Sequence, residues 1–166
     1  MRVSAAGFMA RNSEECIELA TKTALPTHDH PEGIKGAVAT ALAIHHAMSG
    51  KDKSFIRRHV LDEYYPGWSG LAYEDIKQDY DFDVSCQRTI PAALIAFLES
   101  KDYSDCLRLA IALGGDADTL AAIAGPIAYA FYKTIPDELI INAKKKLPKW
   151  MIQINKDFDE YVNNNR

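Results

Sequence analysis

Charge of one sign, cysteine, long apolar runs and internal repetition are all scarce in this sequence, and each shortage removes a class of function. Nineteen Lys and Arg stand against 23 Asp and Glu, a net charge of −4. It is shared evenly by the two halves of the chain, so neither has the basic surplus that binds nucleic acid electrostatically. The longest apolar runs are a handful of residues, far short of the roughly 20 that a membrane-crossing helix needs. The N-terminus lacks the charged-then-apolar pattern of a secretion signal. The expectation is a soluble, cytoplasmic protein with neither a membrane nor a nucleic acid as partner. Three cysteines, Cys16, Cys86 and Cys106, are widely spaced and form no C-x-x-C pair. That excludes a disulfide framework and a zinc knuckle, and leaves reduced, mostly buried thiols. Nine Gly and seven Pro are scattered as punctuation, no tract is of low complexity, and no segment recurs at a fixed period.

What is present is helical periodicity. The 166 residues, 48% of them hydrophobic, suffice for a buried core, and a single domain over 1–166 is expected. Asn12 and Glu15 have the spacing of a capping box that opens a helix through Leu25, which Pro26 stops. Pro31 suits a first helical position. Ile34, Ala37, Val38, Ala41, Leu42 and His45 follow at spacings of three and four until Gly50. The small residues of this helix would let neighbouring backbones approach closely, which marks it as central. A more polar helix is predicted over 52–64, followed by an irregular aromatic stretch from Pro66 to Tyr73 in a long loop. Ile90, Ala93, Leu94, Phe97 and Leu98 form an apolar stripe with Thr89 as its cap, and Cys106, Leu109, Ala110 and Leu113 form another, broken by Gly114 and Gly115. From Asp118 to about Tyr132 the chain is apolar on every face, which predicts burial all round and a kink at Gly125 and Pro126. Two amphipathic helices follow, starting near Pro136 and Pro148; Met151, Ile154, Phe158, Tyr161 and Val162 form the inward face of the last. No convincing alternating strand appears, so the fold class is all-α.

Several motifs fail on inspection. Asp79, Asp81 and Asp83 imitate the start of a calcium-binding EF-hand, but Val84 stands where the turn glycine belongs and Ile90 where the bidentate glutamate belongs. That run is a solvated turn. There is no H-E-x-x-H, no G-x-S-x-G and no P-loop lysine motif. His45 and His46 are adjacent, so they diverge on a helix and serve packing or the surface. Lys144, Lys145 and Lys146 lie near a helix C-terminus, where the dipole favours cations.

Two segments carry chemistry. Thr27-His28-Asp29-His30-Pro31-Glu32-Gly33 gathers two imidazoles and a carboxylate before a helix N-terminus, whose unpaired amides are a natural seat for a phosphate. Capping of the helix by Asp29 or His30 is the simpler alternative. Gly114-Gly115-Asp116-Ala117-Asp118-Thr119 presents two carboxylates and a hydroxyl on a flexible turn, oxygen donors that suit a hard cation such as Mg²⁺ or Mn²⁺. Here the alternative is an N-cap by Asp118 with Asp116 in solvent.

Taken together, these two segments resemble the ADP-ribosylglycohydrolase family of metal-dependent helical hydrolases. Thr27-His28-Asp29-His30-Pro31-Glu32-Gly33 with Gly36-Ala37 is similar to its T-H-x-H-P-x-G-x-x-G-A element. Gly114 to Thr119, continued by Ala121-Ala122-Ile123-Ala124-Gly125, is similar to its late metal-binding element. Met1-Arg2-Val3-Ser4 resembles the tail of a phosphate loop, and Thr89-Ile90-Pro91-Ala92-Ala93-Leu94 fits a further block. The resemblance implies a compact orthogonal multi-helix bundle that removes ADP-ribose from modified proteins or related conjugates. It implies Asp116, Asp118 and Thr119 as ligands of a binuclear Mg²⁺ or Mn²⁺ centre and His28 as the contact to ADP-ribose. The family's other metal ligands, a Thr-Asp-Asp cluster, and an acidic substrate-side residue lie N-terminal to the part matched here. On that ground the chain is expected to be the C-terminal half of such a domain, inactive alone and prone to self-association or to pairing with a complementing N-terminal half. Arg88 replaces a small residue of the family block, and a long cation there is expected to perturb substrate entry. The competing functions are a noncatalytic ADP-ribose or nucleotide-binding module and a vestigial fragment.

Overall fold

A computed structural model describes residues 1–164, and among them no strand is present. Ten α-helices follow one another: α1 (Ser4–Met9), α2 (Ser13–Ala24), α3 (Pro31–Met48), α4 (Lys53–Ile56), α5 (Tyr73–Lys77), α6 (Cys86–Glu99), α7 (Tyr103–Ala112), α8 (Ala117–Tyr132), α9 (Asp137–Lys146) and α10 (Lys149–Asn164). The chain divides into two compact units, Met1–Lys133 and the segment from Thr134 onward. No helix among the described residues is long and apolar enough to cross a membrane.

α3 is the axis of the first unit. It packs against α1, α2, α6 and α8 and buries Gly36, Val38 to His45 and Ala47. Missing side chains permit this. A Cβ on Gly7 would lie 2.6 Å from the Ala41 carbonyl oxygen and 2.7 Å from Ile44 Cβ, and one on Gly36 would lie 3.1 Å from Ile90 and 3.3 Å from Cys86. The neighbouring helices therefore meet α3 at backbone distance, where dispersion contacts are densest. α6 buries Thr89 to Leu98 without a break, and α8 closes the core through Leu120, Ile123, Ala124, Ile127, Ala128 and Ala130.

Lys53 ties three helices together. Its ammonium donates to the Ser100 carbonyl and to Tyr132 Oη at 2.9 Å, and it lies 5.2 to 5.6 Å from the rings of Phe97, Phe131 and Tyr132. A half-buried cation is thus satisfied by oxygen dipoles and aromatic faces together.

Several local expectations change in the folded chain. Asn12 does cap α2, its Oδ1 accepting from Glu15 N at 2.9 Å. Glu15, however, reaches past Asn12 to the Arg11 amide at 2.8 Å, and the Arg11 guanidinium helps hold its carboxyl down to about 2. Thr89 is no cap: α6 starts three residues earlier, and Thr89 is buried within it. The helix over 52–64 begins as α4 and widens into a π-helical turn over Arg57–Asp62. Two short helices, α1 and α5, were not legible as such. α8 is not buried all round, because Asp118, Ala122 and Tyr129 form an exposed stripe. Ala122, whose carbonyl loses its helix partner to Pro126, is one of these exposed positions. The apolar residues of α3 and α8 are in the main buried within Met1–Lys133, which removes the exposed apolar face that self-association would need from these helices. In the second unit Met151, Ile154 and Tyr161 are exposed, while Phe158 and Val162 are half-buried together with Ile152.

Near the C-terminal end of α3, His46 packs edge-on against Phe55 at 5.1 Å, and Phe55 meets His59 at 4.1 Å. Burial above all, and then the nearby His45, His59 and Lys51, pull His46 down to about 4. Between that value and the ordinary 6.5 the unfolded chain holds the extra proton, so stability rises with pH across this window. The urea midpoint of the chain is expected to be fully developed above pH 6.5 and to fall as pH approaches 4, with a shallower fall in His46→Gln. Equal pH profiles for the two proteins would refute this. Gly7→Ala is expected to cost roughly 1–3 kcal/mol of stability, read by urea denaturation, because both atoms it meets are held by α3.

Candidate functional site

The segment before α3 is folded back by its own backbone. Thr27 N and His28 N both donate to the Ala24 carbonyl, at 3.1 and 2.8 Å, which turns the chain beyond the end of α2. The turn then lies against the first turn of α3 because position 33 has no side chain. A Cβ there would stand 2.8 Å from the His28 carbonyl oxygen and 3.1 Å from its Cβ. His30 is the cap of α3, its Nδ1 accepting from Glu32 N at 3.2 Å. His28 is not used in this way. Its Nδ1 lies 2.7 Å from Thr27 Oγ1.

His28 borders two cavities. One, of about 230 Å³, is also lined by Arg2, Thr23, Thr40, Cys86 and Ile90. The other, of about 380 Å³, is lined by His30, Glu32, Cys86 and Gln87 besides His28. Met1, Arg2 and Val3 thus join His28 around one space, at the segment that resembled the tail of a phosphate loop. Cys86 is half-buried between the two, and burial pushes its thiol up. Pro91 cannot donate to the Gln87 carbonyl, so that acceptor is released from the helix ladder beside the second cavity. Behind it, Tyr65 is buried with a hydroxyl that has no hydrogen-bond partner. Burial raises this phenol, and Cys86 and Glu32 add to the effect. Lys35 pairs with Glu32 at 2.6 Å and lies 4.9 Å over the Tyr65 ring.

The second segment is shaped by two left-handed glycines, Gly114 at φ 80° and Gly115 at φ 61°, a conformation that L side chains resist. Gly115 is confined further, since a Cβ would lie 3.1 Å from Asp81 O and 3.2 Å from the Tyr80 ring. Asp116 precedes α8, and its Oδ2 accepts from Thr119 Oγ1 at 2.7 Å. Asp118 Oδ1 accepts from Thr119 N at 2.8 Å. The Asp116 carboxyl is held below its usual range, first by the Asp118 carboxyl beside it and then by the Thr119 hydroxyl. Asp116, Asp118 and Thr119 are therefore gathered at one helix start, and Asp116 rather than Asp118 takes the cap position. Among the described residues no group of three His, Cys, Asp or Glu side chains is placed to hold a metal ion. Two carboxylates and a hydroxyl do match the oxygen preference of a hard divalent cation, supplying part of its coordination sphere.

The linings of the two cavities beside His28 do not include Asp116, Asp118 or Thr119. The start of α6 lies between the two places: Cys86 and Ile90 face the first cavity, and Thr89 adjoins Tyr80, whose ring backs Gly115. Arg88 does not reach toward either cavity. It donates to Asp79 O at 3.2 Å, lies 3.7 Å from Asp83 and sits over the Tyr80 ring at 5.6 Å. The long cation expected to perturb substrate entry is held on the 79–83 segment. Cys86 and Gln87 are lining residues to which sequence reasoning gave no role; Thr27 and Arg2 entered only as members of motifs, without a role of their own.

The sequence profile of ADP-ribosylglycohydrolase matches residues 1–166. An uncharacterized protein of Archaeoglobus fulgidus is 29% identical over 164 residues, 88% of this chain and 52% of that protein. ADP-ribosylhydrolase ARH3 of Gallus gallus is 26% identical, and that of Homo sapiens 24%, over 176 residues, 80% of this chain and 48% of each relative. The chain spans about half the length of the curated relatives it matches.

Gly33→Ala tests the seating of the first segment. The variant is expected to keep its helical circular dichroism while the amide resonances of Thr27 to His30 shift, because the added methyl meets the His28 backbone. Unchanged resonances there would show that the turn does not rest on α3.

Proposed function

This chain belongs to the ADP-ribosylglycohydrolase family, and from that premise we propose that it takes part in metal-dependent removal of ADP-ribose from modified proteins or related conjugates. The observation that carries the reading is the gathering of Asp116, Asp118 and Thr119 at the open start of α8. Two carboxylates set two residues apart at one helix start place two negative charges close together, which a divalent cation would offset. Asp118 and Thr119 are the side chains that act on Asp116, and all three present oxygen atoms.

In this reading Asp116, Asp118 and Thr119 hold Mg²⁺ or Mn²⁺ through oxygen donors, and Gly114 and Gly115 supply the backbone curl that lets carboxylates two residues apart converge. When bound, such cations supply Lewis-acid polarisation of hydroxyl and water oxygens during glycosidic cleavage. Asp116 and Asp118 anchor the acidic side of the site. His28 contacts the ADP-ribose moiety at the start of α3, where Pro31 has no amide proton to offer and Glu32 N is already taken by His30, so the imidazole rather than the helix amides meets the ligand there. The two cavities along His28 offer room for the ligand, while Cys86 and Gln87 shape their wall.

Mn²⁺ titrated into the labelled chain is expected to broaden the resonances of Gly114 to Leu120, and Asp116→Asn, Asp118→Asn together to abolish that broadening. Identical broadening in both proteins would remove the metal assignment. Calorimetry with ADP-ribose, run with and without Mn²⁺, is expected to show binding that the cation strengthens and His28→Ala weakens. Binding that ignores the cation but is lost in His28→Ala would point to a noncatalytic ADP-ribose module, and no binding under either condition to a vestigial fragment.

A further inference from the structure

We propose that Arg2 and Thr27 are positioning residues that hold His28 as its Nε2–H tautomer, so that the imidazole meets a bound ligand as a hydrogen-bond donor. The proposal rests on the reading above only for the identity of the ligand. Three side chains form the arrangement. Arg2 Nη2 donates to Thr27 Oγ1 at 2.6 Å and to the Thr23 carbonyl at 3.0 Å, and Thr27 Oγ1 lies 2.7 Å from His28 Nδ1.

The direction of the chain follows from what each group can do. A guanidinium has donors and no acceptor, so at the Arg2–Thr27 contact the hydroxyl oxygen must accept. The hydroxyl has one proton, and His28 Nδ1 is the ring nitrogen within its reach. If Thr27 donates to Nδ1, both side-chain contacts pair one donor with one acceptor, and the ring proton resides on Nε2. The opposite tautomer would aim Nδ1–H and the guanidinium at the same oxygen and turn the Thr27 proton out of the chain. The cation 2.6 Å from Oγ1 also polarises the hydroxyl, making its proton a better donor and the oxygen a poorer second acceptor. A neighbour's hydrogen bond on one imidazole nitrogen thereby decides what the other presents.

The consequence is selectivity for acceptors. With Nδ1 occupied, the donor offered by His28 is Nε2–H, which suits a phosphate, carboxylate or hydroxyl oxygen and disfavours a cationic or donor-only group. The turn itself does not depend on the Thr27 side chain, since Thr27 N and His28 N are both held by the Ala24 carbonyl. Variants at Thr27 therefore alter the tautomer without undoing the backbone.

The test is long-range ¹⁵N–¹H correlation of the histidine rings at about pH 8, where imidazoles are neutral, in the full chain and without ligand. His28 is expected to show a pyridine-type Nδ1 and a pyrrole-type Nε2 more fully than a histidine in a reference peptide does. Thr27→Val and Arg2→Met are expected to return it to the reference mixture, and Thr27→Ser to restore the wild-type pattern. A wild-type His28 that matches the reference, or that carries its proton on Nδ1, overturns the proposal. ADP-ribose affinity measured on the same proteins is expected to fall about five- to tenfold in Thr27→Val, the loss of one well-aimed hydrogen bond, and to recover in Thr27→Ser. If the wild type binds no ADP-ribose, the functional reading fails while the ring spectrum still decides the tautomer.

Discussion

The approach of α1 and α6 to α3 at the distance of bare backbone is the constraint around which Met1–Lys133 is organised. Gly7 meets the Ala41 carbonyl and Ile44 at distances no Cβ would allow, and Gly36 meets Ile90 and Cys86 at distances that a Cβ would make tight. An 18-residue helix enclosed in this way has its direction set by packing on both flanks. Its N-terminus is then delivered to one place, where His30 caps it and Gly33 lets the turn with His28 lie against it.

Both candidate segments lie at helix starts, and the reason is geometric. A helix interior commits its polar backbone to itself, whereas its first turn leaves amides unpaired and permits nonhelical φ and ψ just before it. At α3 that freedom is stabilised by a close glycine contact; at α8 it is produced by two glycines at positive φ. α6 stands between these two places. Cys86 and Ile90 line a cavity beside His28, and Thr89 adjoins the Tyr80 ring on which Gly115 rests. Arg88, two residues on from Cys86, fastens the 79–83 segment through Asp79 and Asp83. One helix thus supplies a wall to the first place and, through Tyr80, a support to the second.

How far the sequence could be read depended on the length over which each signal is written. The long helices α2, α3, α7 and α8 repeat their apolar spacing over several turns, and their limits were legible to within a few residues. α1 and α5 are six and five residues long, too short for periodicity to separate them from a loop. Thr89 looked like a cap because a hydroxyl preceded an apolar stripe; in the folded chain it is buried and α6 begins at Cys86. Glu15 has the capping-box spacing, yet a competing partner, Arg11, draws its carboxylate one residue further back. The exposed stripe of α8 escaped notice because Ala122 and Tyr129 are apolar enough to pass as core.

The sequence by itself determined that the fold is helical, that α3 is central, and that the candidate segments are Thr27–Gly33 and Gly114–Thr119, since periodicity, glycine spacing and motif order are local and survive unfolding. Which ring nitrogen of His28 faces Thr27, that His30 and not Asp29 caps α3, and that Asp116 and Asp118 share one corner with Thr119 were decided only by tertiary structure. The same holds for Cys86 and Gln87 beside His28, and for the turning of Arg88 onto its own loop. The contacts of His28, His30 and Asp116 are made one to three residues away, where local spacing allows several pairings and the folded backbone selects one; those of Cys86, Gln87 and Arg88 join segments further apart through the packing of α6.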